Sequence, residues 1–288
     1  MKIAILSRFG HMECAGFLLE IFKEDNVTLY LDYNSDKHNW MEYYKTLYNN
    51  FEIKYNEFNS DIIDKYDKVF KITSNDDCLF HKDMVSIVHA NGLTDISEKF
   101  LSLTPYIVGE NTSYTFPIFK TNTLNKTNKQ NIVTLIGYFE NKHADEDLDL
   151  FIDKNPDYTF NFVIWSEFGY HNLRKHCNVN VLHNVNTPEL VDIINSSKYI
   201  LSKRYINYTN FSGQLGLAMS FEIPLIVDNR TASSYGLPGV FFDTSYNEIE
   251  KLESISDEKY NKLVEDMKAF NEKALEKNSE IIRGFVQK

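Results

Sequence analysis

The sequence predicts an α/β protein built as two parallel-sheet halves in tandem. Three observations carry that reading. Short β-branched runs alternate with helical stretches through the first 119 residues, as parallel sheets require. The segment Lys120–Gln130 then breaks the pattern with polar side chains that cannot bury a face. From Ile132 the same alternation starts again. A chain of 288 residues has length enough for two ordinary domains.

In the first half, Lys2–Ser7 reads as a buried strand, and His11–Lys23 carries apolar residues at helical spacing. Val27–Leu31 is a second strand, Trp40–Asn49 a helix, and Lys68–Thr73 and Val85–His89 further strands, with a weaker one at Phe100–Leu103. In the second half the strands are Ile132–Ile136, Phe160–Trp165, Val179–His183, a run from Tyr199, and the stretch after Pro224 to Val227. Helices fall at Asp147–Asp153, around Leu173, at Glu189–Ser196 and from Ser212-Gly213. Thr187-Pro188-Glu189 has the chemistry of a helix start, with Thr as cap and Pro in the first turn. Asp257–Val286 is a long amphipathic helix with Tyr260, Leu263, Val264, Met267 and Phe270 near one face. The expected division is 1–120, a linker at 121–130, 131–256, and a terminal helix at 257–288 that crosses back to the first half.

Composition narrows the function. The formal net charge is −11, which opposes non-specific nucleic-acid binding, because that affinity comes from cationic neutralisation of phosphates. It leaves room for a local basic pocket that takes an anionic ligand. Cys14, Cys78 and Cys177 lie far apart with no CxxC pair, so neither a disulfide framework nor a zinc ribbon is expected. The opening apolar run is too short for a secretion signal, and no run approaches a membrane span. A soluble, cytoplasmic protein is the expectation. Walker A, G-x-G-x-x-G, G-x-S-x-G and H-E-x-x-H motifs are all missing.

The chemistry-bearing residues sit at strand ends. Gly137-Tyr138 follows the first strand of the second half, where a glycine lets backbone approach a ligand or simply ends a strand in a turn. Lys203 and Arg204 follow the strand at Tyr199, at the carboxyl edge where parallel sheets bind ligands. Ser212-Gly213-Gln214 opens a helix whose free N–H groups and dipole suit phosphate, although Ser212 also serves as an ordinary cap. Ala218-Met219 and Pro224-Leu-Ile-Val227 complete the stretch.

This order of parts resembles the GT-B glycosyltransferases, loosely over 1–119 and more specifically over 131–245. The resemblance implies two Rossmann-like domains facing a central cleft. It implies a hexosyltransferase-like enzyme moving a sugar from a nucleotide diphosphate, UDP or GDP, to a hydroxyl on a glycan or glycoconjugate. The donor is a co-substrate; no cofactor and no metal are expected, with Lys203, Arg204 and the helix start neutralising the diphosphate. The loop after the first strand then supplies the base, His11 or Glu13, with His89, Asp95 and Glu110 in reserve. Retaining members carry two glutamates where this chain has Thr209 and Leu217. That departure keeps two alternatives open: a non-catalytic sugar-nucleotide-binding protein, or a sugar-nucleotide epimerase of the same architecture. The acidic run Asp145–Asp149 is read as a solvated helix face rather than a metal site.

Overall fold

A computed structural model describes residues 1–7, 12–32, 36, 39–57, 59–72, 84–88, 100–106, 112–121, 129–137, 142–164, 176–202, 212–243 and 245–286. Its first elements are β1 (Lys2–Ser7), α1 (Met12–Ile21), β2 (Asn26–Leu31), α2 (Trp40–Leu47), β3 (Phe51–Tyr55), β4 (Lys68–Ile72), β5 (Met84–Val88), β6 (Phe100–Ser102) and β7 (Thr112–Tyr114). The strands pair in the order β3-β2-β1-β4-β5-β6-β7, and every pairing is parallel. A second sheet follows. Its chain order is β8 (Ile132–Ile136), α3 (Lys142–Lys154), β9 (Thr159–Ile164), β10 (Val179–His183), α4 (Thr187–Ser196), β11 (Tyr199–Leu201), α5 (Gly213–Ser220), β12 (Leu225–Asp228), α6 (Asn229–Tyr235) and β13 (Val240–Phe242). These strands lie β10-β9-β8-β11-β12-β13, again all parallel. The long α7 (Asp257–Val286) comes last.

Parallel strands are covered on both faces, so the central ones read as unbroken apolar runs. β1, β2, β4, β5 and β12 are buried along almost their whole length. Outer strands need only half of that: β3 and β10 alternate partly buried with exposed residues. That is why the charged run Phe51–Tyr55 escapes the apolar-run criterion and still forms a strand. α6 and the three-residue strands β7 and β13 also escape it, being too short to show a period.

One expected cap is displaced by a residue. Asn186, not Thr187, caps α4: its side chain accepts from the Glu189 N–H at 3.1 Å, while the Glu189 carboxylate accepts from the Asn186 N–H at 3.1 Å. Glu189 stands three residues after Asn186, the spacing a reciprocal capping box needs. Thr187 becomes the first helical residue and is fully buried.

The chain forms two compact units: Met1–Thr121 with Asn207–Gly216 and Glu272–Lys288, and Asn122–Ile206 with Leu217–Asn271. Both claim part of α7. Within the second, Tyr260 stands edge-on to Tyr199 at 5.6 Å, and its hydroxyl donates to the Lys198 carbonyl at 3.2 Å. Burial pushes the Tyr260 hydroxyl up to about 12. The Asn271 amide donates to the Met219 carbonyl at 2.6 Å. Within the first, the buried Asn278 amide donates to the Phe116 carbonyl at 2.6 Å and accepts from the Phe116 N–H at 3.2 Å. Arg283 lies over the Phe22 ring and donates to the Ile21 carbonyl at 2.7 Å.

Tyr44 fixes how α1 and α2 meet. Its ring is fully buried, stacked on Trp40 at 5.6 Å and edge-on to Phe119 at 5.4 Å. Gly16 of α1 lies under it, and a Cβ there would stand 2.5 Å from the ring. Replacing a helical glycine by alanine ordinarily gains up to about 1 kcal/mol. Here the clash costs about 1–3 kcal/mol, since the ring has no free side to move toward. Gly16→Ala is therefore expected to lower the urea midpoint; a midpoint at or above the parent's would show that the ring yields.

Candidate functional site

In the second sheet β8 and β11 lie side by side, yet their crossovers leave in opposite directions. β8 continues to β9 and β10, whereas β11 continues to β12 and β13. Open parallel sheets as a class bind ligands beyond the carboxyl ends of the strands at such a reversal. β11 is paired to β8 through Tyr199↔Val133 and Ile200↔Thr134. Behind that pairing the buried Thr134 and Ser197 hydroxyls bond each other at 2.7 Å.

Gly137 follows β8 directly. Its φ is 117°, and its N–H donates to the Val163 carbonyl at 2.9 Å. That backbone conformation is nearly closed to residues with a Cβ, which accounts for glycine at the end of β8. On the other side Ser202 is fully buried; its N–H donates to the Ile226 carbonyl at 2.8 Å and its carbonyl accepts from the Tyr246 hydroxyl at 3.3 Å. Both strand ends are thus held by hydrogen bonds to their neighbours.

α5 follows β11 in the chain and precedes β12. Ser212 and Gln214, either side of Gly213, are 6% and 8% exposed. The Leu215 N–H donates to the Ser212 carbonyl at 3.0 Å. After Gln214 the helix buries Leu215, Leu217, Ala218 and Met219. A helix start leaves backbone N–H groups unsatisfied by the helix itself. Together with the dipole they make this end attractive to anions. The Gln214 Oε1 is buried and makes no hydrogen bond.

Of the residues singled out in the sequence, Gly137, Ser212, Gly213 and Gln214 have described places. Glu13 belongs to the first turn of α1. His11, Tyr138, Lys203, Arg204, Thr209, His89, Asp95 and Glu110 lie outside the described residues. Asp149 departs from the expectation of a solvated face: it is 16% exposed and bonds His176 Nε2 at 2.8 Å, while Asp153, one turn on, reaches Nδ1 at 3.1 Å. Among the described residues no group of three or more His, Cys, Asp or Glu could hold a metal ion. No helix among them is long and apolar enough to cross a membrane.

Two polar groups went unremarked in the sequence. Asp228 ends β12, and its Oδ1 accepts from the Thr231 N–H at 2.9 Å to cap α6. Its Oδ2 is buried without a hydrogen bond. Lys71, next to last in β4, is 1% exposed. It shares a register row with Leu6 of β1 and Ser86 of β5, beside the point where the first sheet reverses order between β1 and β4. The signal for Lys71 was a cation between Phe70 and Ile72 in a strand buried along its whole length. For Asp228 it was a carboxylate closing the strand after Pro224.

Gly137→Ala is expected to cost about 1–3 kcal/mol by forcing a Cβ into a conformation that only glycine tolerates. Thermal unfolding checks this; an unchanged midpoint would mean the turn can adopt another backbone geometry.

No protein-family model and no curated protein sequence matches the chain. Solved structures do. Anabaena HepE, solved in complex with UDP and glucose, is similar with a TM-score of 0.65 and 12% identity, over 100% of this chain and 99% of that one. MurG of Acinetobacter baumannii follows at 0.51 and 8%, over 99% and 100%. The glycosyltransferase of kitacinnamycin follows at 0.50 and 11%, over 99% and 98%. At such identities the likeness speaks for the fold, and the chain has the GT-B fold of these glycosyltransferases.

Proposed function

We propose that the protein is a glycosyltransferase that uses a nucleotide diphosphate sugar, UDP- or GDP-linked, as donor and a hydroxyl of a glycan or glycoconjugate as acceptor. The observation that carries this reading is the reversal of strand order between β8 and β11, with a glycine of φ 117° at the end of β8. The buried helix start Ser212–Gln214 is a separate point in its favour. UDP and glucose in the similar HepE structure favour the same ligand class. The donor needs no cofactor in this reading and no bound metal.

The roles follow from the chemistry. Backbone N–H groups at the start of α5 hold the diphosphate, and Lys203 and Arg204 add positive charge as it leaves. In an inverting transfer the acceptor hydroxyl gives its proton to His11 or Glu13. Its oxygen then bonds the anomeric carbon, while the bond from that carbon to the diphosphate breaks and the electron pair departs with the nucleotide. Arg204 is the better cation for the leaving group, since a guanidinium grips phosphate bidentately.

Calorimetry with UDP and GDP tests the donor half of this reading. Arg204→Ala is expected to weaken nucleotide binding by about 1.5–3 kcal/mol, the worth of a hydrogen bond to a charged group. Unchanged affinity would remove Arg204 from the site, and no binding of either nucleotide to the parent would end the reading. For the acceptor half, His11→Ala is expected to cut kcat by about 10²–10⁴ with nucleotide affinity intact. Glu13→Ala shows that loss instead if the carboxylate is the base, and parental turnover in both variants would make the loop structural.

A further inference from the structure

The strands at the ends of the two sheets are not alike. β7 and β13 have three residues each, and β10 contains no carboxylate. β3, at one end of the first sheet, runs for five residues in unbroken register with β2. Among the described residues no strand pairs with its other side. Soluble proteins commonly blunt such an edge with proline, a bulge or unopposed lysine, because an open row of backbone groups invites another chain. β3 has no proline and no bulge, and its one lysine, Lys54, stands two residues from Glu52.

The bonds to β2 fix which backbone groups face outward. The Val27 N–H donates to the Asn50 carbonyl at 3.2 Å, and the Asn56 N–H donates to the Leu31 carbonyl at 2.9 Å. In a parallel ladder alternate residues bond the same neighbour. Glu52 and Lys54 therefore turn their main-chain groups to β2, whereas Phe51 and Ile53 turn theirs to the open side. The Glu52 and Lys54 side chains share one face and pair at 3.2 Å. On that face the Thr28 hydroxyl donates to the Glu52 carboxylate at 2.9 Å, and Lys54 lies over the Tyr30 ring.

We infer that β3 pairs with β3 of a second copy of this chain, antiparallel about a two-fold axis at Ile53, so that two first sheets join into one. Ile53 then meets its own counterpart, and the two residues exchange N–H to carbonyl bonds. Glu52 stands opposite Lys54 of the second copy, and Lys54 opposite its Glu52, while Phe51 faces Tyr55 across the other surface of the sheet. Opposed pairs of unlike charge and opposed aromatic pairs are the favourable cross-strand contacts. Moving the axis by one residue keeps outward groups facing each other, but sets Glu52 against Glu52 or Lys54 against Lys54. Of the two-fold registers, the one at Ile53 joins unlike charges, so the strand specifies both its partner and its alignment. A contact of this size makes a weak, reversible dimer. The pairing is independent of the donor assignment.

Sedimentation velocity of the full chain over a concentration series tests the pairing. The parent is expected to move reversibly from monomer toward dimer as concentration rises. Glu52→Lys and Lys54→Glu each put like charges at both symmetry-related positions, and each weakens self-association at least about tenfold. An equimolar mixture of the two variants recovers association to within about threefold of the parent, because an all-cationic edge then meets an all-anionic one. Ile53→Pro removes an outward N–H while leaving the bonds to β2 whole. It abolishes the dimer with the circular dichroism of the monomer unchanged. Both charge variants change side chains that are partly exposed, so they remain informative if the proline variant does not fold. A parent that stays monomeric throughout the series overturns the inference. So does a dimer that both charge reversals leave intact, or a pair of variants that does not recover when mixed.

Discussion

Parallel pairing is the constraint on which everything else depends. Two parallel neighbours cannot be joined by a tight turn; each crossover must travel back the length of the sheet, usually as a helix, before the next strand begins. Every loop that follows a strand therefore gathers on one edge, and every helix that fills a crossover starts from that edge. In the second sheet this places the turn at Gly137, the end of β11 at Ser202 and the end of β12 at Asp228 in one class of position.

The same constraint explains what could be read in advance. Strands buried on both faces announce themselves as apolar runs, so β1, β2, β4, β8, β9 and β12 were legible in Lys2–Ser7, Val27–Leu31, Lys68–Thr73, Ile132–Ile136, Phe160–Trp165 and the stretch after Pro224. The edge strand β3 and the three-residue strands β7 and β13 were not, because half-exposed positions admit charge and a short run has no period. The cap of α4 was misplaced by one residue because Asn186 and Thr187 are both competent caps. Only the spacing to Glu189 decides between them.

For the site, sequence fared better with backbone than with side chains. Gly137 could be named because a strand-ending glycine is visible as such, although its φ of 117° was not. Ser212–Gln214 could be named as a helix opening. That Gln214 is sealed with an orphan oxygen could not, since a polar residue near a helix start is more often solvated. Asp228 and Lys71 escaped for a related reason: each lies within an apolar run, where its burial depends on neighbours distant in the chain.

The division of α7 has a consequence for how such a protein can be inherited or rearranged. The first unit is not a contiguous stretch of chain: Phe116 is satisfied by Asn278, and the helix segment Glu272–Lys288 belongs with Met1–Thr121. A gene cut in the polar stretch 122–128 would separate Phe116 from the amide that occupies both of its backbone groups, leaving a buried donor and acceptor open. Exchange of halves between relatives would have to carry the end of the chain together with its beginning. The modules visible along the sequence are therefore not the units of recombination; those units are set by where the last helix spends each of its turns.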